Sequence, residues 1–311
     1  MNKKKHYFIT GGLGFIGAAI TNSLIKDGFK VTIYDDLSRG NKKRISNKNN
    51  NLKIINGDIR NFSKLKKSFK KVDAVVHLAY VNGTKNFYAK PAEIIEIAAK
   101  GILNILDVCI EKKVKEIYLA SSSEVYQTPN KVPTDEKEPL KIPNIFNPRY
   151  SYGGGKILTE LMGIHYGKKF FKKLIIFRPH NVYGKNMGND HVIPEFINRI
   201  KKIKSNKFKI QGTGNEIRSF IYIDDFIEAF KIILKKGKHL NIYNIGTNES
   251  INIISLAKKI FKIFNKNPEI KKTPLKKGGT KIRVPDISKI KKIGFLQKYN
   301  LDKGLKKIIN Y

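Results

Sequence analysis

"ITGGLGFIGAAI", residues 9–20, sets Gly11, Gly14 and Gly17 between a short β-rich run, "HYFIT" (6–10), and an apolar helical pattern that continues to about Asp27. Glycine serves a tight turn, a close approach of backbone to a pyrophosphate, and close packing of a helix on the preceding strand. The helix N-terminus then offers unpaired N–H groups and a positive dipole to an anion. Three glycines at this spacing, in a strand-to-helix context, read as the phosphate-binding turn of a dinucleotide site. Asp35 ends the next strand, "VTIYDD", about 20 residues further on, where a carboxylate accepts hydrogen bonds from the adenosine ribose and repels a 2′-phosphate. That favours NAD over NADP, although Arg39, Lys42, Lys43 and Arg44 follow closely enough to hold an extra phosphate. A turn cap is the lesser alternative for Asp35 or Asp36.

Outward from this stretch, short buried-looking strands alternate with helical patterns: "KVTIYD", "LKIIN", "DAVVHLA", a long helix over about 91–111, "KEIYLASS", a helix after Tyr152, and "LIIFRP". Strand, helix, strand with apolar strands predicts a parallel sheet covered on both faces, a doubly wound α/β fold. Beyond residue 180 the rhythm loosens, which predicts a smaller, interleaved lobe. The expected division is residues 1–180 for the cofactor and 181–311 mainly for substrate, with the strand near 241–246 returning to the first part. "GDIR" (57–60) and "HLAY" (77–80) follow the third and fourth strands, so Asp58, Ile59 and Ala79 fall at the carboxyl edge, where such folds bind ligands. Asp58 reads equally as a plain loop residue, and His77 as packing beneath the cofactor.

The chain has 311 residues, with 62 basic against 25 acidic side chains and a net charge of +37. The lysines are spread along the whole sequence, which predicts a solvated surface rather than a nucleic-acid face, even with the basic 41–51 loop. No apolar run approaches the roughly 18 to 20 residues of a membrane helix, and the start leads into a strand rather than a signal peptide, so a cytoplasmic protein without membrane insertion is expected. The single cysteine, Cys109, excludes an internal disulfide, offers no metal set and is expected to pack in the core.

"RYSYGGGKILTELM" (149–162) carries Tyr152 and Lys156 at i and i+4, on one face of a helix. A phenol titrates near 10, so a base working at neutral pH needs about 3 units of lowering, roughly 4 kcal/mol. Lys156 and the positive ring of an oxidised nicotinamide both favour phenolate. "LASSSEVYQ" (119–127) brings hydroxyls to the same sheet edge. Gly153, Gly154 and Gly155 each weaken a helix by up to about 1 kcal/mol relative to Ala. An apolar stripe of Ile157, Leu158, Leu161 and Met162 is expected to hold the helix, with the glycines letting it approach cofactor or sugar.

"TGGLGFIG", "HLAY", "SSSEVY", Tyr152 with Lys156, "RPHNVYG" (178–184) and "RSFIYIDD" (218–225), in this order over nearly the whole chain, resemble the extended short-chain dehydrogenase/reductases in their nucleotide-sugar epimerase/dehydratase branch, UDP-glucose 4-epimerases among them. The resemblance implies a Rossmann-type fold and NAD held by Gly11, Gly14, Phe15, Ile16, Gly17, Asp35, Asp58, Ile59, Leu78, Ala79, Tyr152, Lys156 and Pro179. Tyr152 would be the base, Lys156 would hold the nicotinamide ribose, and Ser122 would bond the reacting hydroxyl, with Ser121 and Ser123 as alternatives in register. Asn181 and Arg218 would contact the substrate diphosphate. Asp224 and Asp225 are read as caps of the following helix. A second diphosphate arginine of the family falls at Lys276, with Arg283 as a stand-in, and Ala98 stands where the family has a relay Asn. His180 and Gln127 also depart from the family pattern.

Among relatives, dTDP-glucose 4,6-dehydratases have an Asp where this chain has Ser123, a far weaker acid. "SEVY" with Glu124 also resembles UDP-glucuronate decarboxylases and GDP-mannose dehydratases, so Glu124 is either a catalytic base or a polar turn residue. The resemblance implies an NAD-dependent epimerase acting at carbon 4 of a UDP-sugar, in polysaccharide or glycoconjugate sugar supply. A dehydratase or decarboxylase is the alternative, and a non-catalytic dinucleotide- or RNA-binding relative is a reading of another class. It also implies a homodimer paired through the helices at about 91–111 and 151–168.

Overall fold

The computed structural model describes residues 4–46, 49–274 and 278–309. Six strands, β1 (His6–Thr10), β2 (Lys30–Asp35), β3 (Leu52–Asn56), β4 (Ala74–His77), β5 (Glu116–Ala120) and β6 (Lys173–Pro179), are joined by Asn241–Ile245 in one parallel sheet. Its order is Asn241–Ile245, β6, β5, β4, β1, β2, β3. β4 is buried at every position, and β2, β5 and β6 nearly so, because helices cover both faces. The covering helices before residue 180 are α1 (Phe15–Lys26), α2 (Phe62–Ser68), α3 (Thr84–Ala89), α4 (Pro91–Glu111) and α5 (Tyr150–Phe170).

Strand order reverses between β1 and β4, and in open sheets that point opens a crevice beyond the carboxyl ends. Here the crevice is pinned by Thr10, whose hydroxyl oxygen accepts from the amides of Leu78 and Ala79 at 3.1 and 3.2 Å. Gly11 has φ +68°, and a Cβ there would sit 2.8 Å from the Ala79 backbone, so the close approach that this glycine permits is to the chain itself.

The helix after residue 149 departs from the sequence expectation. Its buried face is Ser151, Tyr152, Gly153, Gly155, Lys156, Thr159, Glu160, Gly163 and Gly167, whereas Leu161 is 54% exposed and Ile157, Leu158 and Met162 are only partly buried. The polar groups can go inside because tertiary partners meet them, and the small ones because Leu119, Leu174 and Leu240 fill the space a side chain would take. The glycine triplet likewise serves the protein: a Cβ on Gly153 would strike the Gln127 amide, one on Gly154 would touch Ile142, and one on Gly155 would overlap the Tyr80 hydroxyl and lie 2.6 Å from Ala98 Cβ.

Beyond β6, Lys207–Gln211 pairs in parallel with Glu269–Thr273, and Ile217–Ser219 lies between Ser250–Asn252 and Ile282–Arg283. Asp224 and Asp225 sit in the first turn of Ile223–Lys236 but do not cap it. Asp225 instead accepts from the amides of Lys298 and Tyr299, and Asp224 pairs with Lys307, fastening the C-terminal segment. Cys109 is buried within α4. Among the described residues no helix is long and apolar enough to cross a membrane.

Candidate active site

Two adjoining cavities open at the carboxyl edge. The smaller, about 110 Å³, is lined by Gly11, Gly14, Asp35, Asp58, Ile59, Leu78 and Ala79 among others. The larger, about 590 Å³, runs on past Phe15, Ile16, Gly17 and Pro179 to Ser122, Ser123, Glu124, Tyr152, Lys156, Asn181 and Arg283. The sequence-predicted residues are thus brought together, with two exceptions. Lys276 lies outside the described residues, and Arg218 turns away from both cavities. The Arg218 guanidinium donates to the carbonyls of Ile217, Thr280 and Lys281, and burial beside Arg283 pushes its pKa down to about 9.

The cofactor end fits a dinucleotide. The first turn of α1 starts at Gly14 without any side-chain cap, which leaves its amides for an anion. Arg39 and Arg44 stand over it, Arg44 tied to the carbonyls of Leu13 and Arg39 at 3.0 Å. Asp35 is buried, one carboxylate oxygen accepting from Leu13 N and the other from Leu37 N, both at 2.9 Å. Burial raises its pKa, and the two amides oppose that rise. Asp58 is engaged by Arg60, which holds the carboxyl below its ordinary range against the effect of burial. His77 faces Thr10 at 2.8 Å, and burial next to Lys156 takes its pKa down to about 3, so it stays neutral.

A Cβ on Gly17 would overlap the Gly11 carbonyl and lie 2.8 Å from Gly12 Cα, all of it backbone of the turn itself. Gly17→Ala is therefore expected to displace the turn and weaken NAD binding about tenfold or more, since overpacking costs about 1–3 kcal/mol. Calorimetric titration with NAD checks this.

At the other end the Ser122 hydroxyl, which accepts from Glu124 N at 3.2 Å, lies on the side of the Tyr152 phenol and favours its ionised form. Ser121 is committed to Glu160, so of these two serines Ser122 is the one that meets the phenol. Burial pushes the Tyr152 pKa up to about 12, and Ser122 works against that. Lys156 donates to Ala120 O at 2.8 Å, and burial brings its pKa down to about 7 against the charge of Glu160. Glu124 is paired with Arg283 at 2.8 Å and faces Arg149 at 3.6 Å. Although burial favours the neutral acid, these arginines hold its carboxyl below the ordinary range. Asn181 adopts φ +38°, a left-handed conformation that Asn tolerates, and donates to Ser219 O.

Arg149, Tyr80 and Phe87 also line the larger cavity and were not singled out from sequence. "NPRY" places Arg149 three residues before Tyr152, a helical neighbour, which was the available signal. Tyr80 was visible in "HLAY", but nothing local reveals where its ring points.

A parallel sheet with an uncapped glycine turn at its crevice, together with a Tyr–Lys–Ser group, defines a dinucleotide-dependent enzyme fold of the short-chain dehydrogenase/reductase type. The family description "NAD dependent epimerase/dehydratase family" matches residues 7–246, and the chain belongs to that family, whose cofactor is NAD. A Dictyostelium discoideum dTDP-D-glucose 4,6-dehydratase is 33% identical over 280 residues, 85% of this chain. The match spans 64% of that protein and about half, 47%, of trifunctional Arabidopsis thaliana UDP-glucose 4,6-dehydratases. A Methanocaldococcus jannaschii protein with the provisional name UDP-glucose 4-epimerase is 31% identical over 308 residues, 97% of each chain. The structure of a Methanobrevibacter ruminantium UDP-N-acetylglucosamine 4-epimerase, in complex with UDP-N-acetylmuramic acid, superposes with TM-score 0.89 at 28% identity, covering 99% of this chain and 98% of that one.

Proposed function

We propose that this protein is a nucleotide-sugar 4-epimerase acting on a UDP-sugar. The observation that carries this reading is the Glu124–Arg283 ion pair at 2.8 Å. A carboxylate held ionised between arginines is a fixed anion rather than a base near neutrality, and Ser123 is no acid. Tyr152 is then left as the proton-handling group, and epimerisation requires only one, which takes the proton of the 4-hydroxyl and returns it.

NAD, when bound, would supply the hydride acceptor and donor that inversion at carbon 4 through a keto-sugar needs. Tyr152 removes the hydroxyl proton, Ser122 orients the reacting oxygen, and Lys156 supplies positive charge beside the phenol and donors for the nicotinamide ribose. Gly11, Gly14, Gly17 and the amides of the first turn of α1 hold the pyrophosphate, and Asp35 the adenosine ribose. Asn181 and Arg283 bind the substrate diphosphate, with Arg218 acting only from behind, through the strand beside Arg283. Residues 1–180 carry most of the cofactor site and 181–311 most of the sugar-nucleotide site. A homodimer would pair through α4 and α5, where Ile95, Leu103 and Leu161 are exposed, and the place of action would be the cytoplasm.

A second reading is favoured by Arg149 and Arg283, whose buried Nε groups have no hydrogen-bond partner among the described residues. A sugar carboxylate would suit them, and the reaction would then be decarboxylation. Mass spectrometry and NMR of products from a panel of UDP-, GDP- and dTDP-sugars with NAD test both. An isomer of unchanged mass is expected. Loss of carbon dioxide would establish the second reading, and loss of water would make Glu124 catalytic and overturn the first. Salt-dependent RNA binding with no sugar turned over would overturn both.

A further inference from the structure

We propose that Tyr80 is a positioning residue for the Tyr152–Lys156 pair, the face of its ring seating the Lys156 ammonium. This rests on the reading of those two residues as the proton-handling pair. Lys156 Nζ stands 4.0 Å from the centroid of the Tyr80 ring, nearer than the 5.9 Å to Tyr152. The same Tyr80 ring meets Tyr152 edge-on, at 5.1 Å and 86°, while Phe87 stacks on Tyr152 at 4.8 Å. Lys156 and Tyr152 are thus set relative to one another by one side chain that touches both.

The groups around Lys156 leave this ring a part to play. Its hydrogen bond goes to Ala120 O, Glu160 is committed to Ser121 and Arg178, and His77 is neutral. The charges facing Tyr152 are Glu124, Arg283 and Arg39. A desolvated ammonium with few polar partners gains most from the negative face of an aromatic ring. The fold makes room for the ring at some expense: Gly155 and Ala98 are small where the Tyr80 hydroxyl enters, and that hydroxyl is buried with no hydrogen-bond partner among the described residues. The ring, rather than the hydroxyl, is what the site uses.

The test is the titration of Lys156 in lysine-labelled protein by NMR, assigned by its loss in Lys156→Met and measured without substrate. Tyr80→Phe is expected to keep the midpoint, whereas Tyr80→Leu lowers it by about one pH unit, a change of about 1.4 kcal/mol. Tyr80→Met, unbranched and adaptable, gives the same reading if the Leu variant does not fold. With Lys156 losing its charge at lower pH, Tyr152 is harder to ionise. The acid limb of kcat/KM therefore moves to higher pH in Leu and Met and stays in place in Phe. A midpoint unmoved or raised in Leu and Met, or lowered equally in Phe, would overturn the proposal. The titration needs no turnover, so a sugar panel without product would sink the catalytic reading of Tyr152 while Tyr80 is still judged by Lys156.

Discussion

Tyr152→Phe is expected to lower kcat about a thousandfold, roughly 4 kcal/mol of barrier, with KM nearly unchanged, because a positioned general base contributes about 10²–10⁴. The substitution removes one oxygen and leaves the ring between Tyr80 and Phe87. Packing is therefore retained, and the loss is confined to proton transfer. Steady-state turnover of whichever nucleotide sugar the panel identifies gives the measurement, with urea unfolding as the control for folding. A variant within tenfold of wild type would place the base elsewhere. Ser122→Ala should lose less, since the hydroxyl orients oxygen without accepting its proton for good.

Glu160→Ala carries the largest expected effect on stability, about 3–5 kcal/mol in equilibrium urea unfolding. Its carboxylate and the Arg178 guanidinium are 4% and 2% exposed, joined by two hydrogen bonds at 2.8 and 2.6 Å. Removing Glu160 leaves a buried cation whose remaining partners are the Tyr126 hydroxyl and Glu136 O. Ser121 loses its acceptor as well, at the strand end that carries Ser122. Breaking a buried pair costs far more than replacing it, so Glu160→Ala with Arg178→Met should recover much of the loss. A double variant no more stable than the single would mean that the orphaned charge is not the source of the damage.

How much of this could be read in the sequence follows from how local each signal is. Gly11, Gly14 and Gly17 stand within one turn, and Tyr152 and Lys156 are helical neighbours, so spacing alone conveys their geometry. Ser122 is placed by register to Val125, and it lines the same cavity as Tyr152, as Ser121 and Ser123 also do. The buried face of α5 was misread because periodicity counts apolar residues, and here Lys156, Thr159 and Glu160 are inside. Glu160 goes in because it meets Arg178, 18 residues on and on another element. The resemblance assigns Arg218 to phosphate, but the carbonyls that take up its guanidinium include those of Thr280 and Lys281, about sixty positions away. Asp224 and Asp225 look like caps by position and are claimed by Lys307 and the amides of Lys298 and Tyr299 instead.

The seventh strand of the sheet is supplied by Asn241–Ile245, pairing with β6 across more than sixty residues of intervening chain. Asn244 within it donates to Thr134 O and Asp286 O and accepts from Tyr126, so this strand laces the loop after β5 to the C-terminal part. A nascent chain that has completed β6 still shows a raw sheet margin, open to pairing with foreign strands. That margin on β6 is closed only once the chain has passed residue 245, so the C-terminal part guards the sheet that carries the cofactor turn.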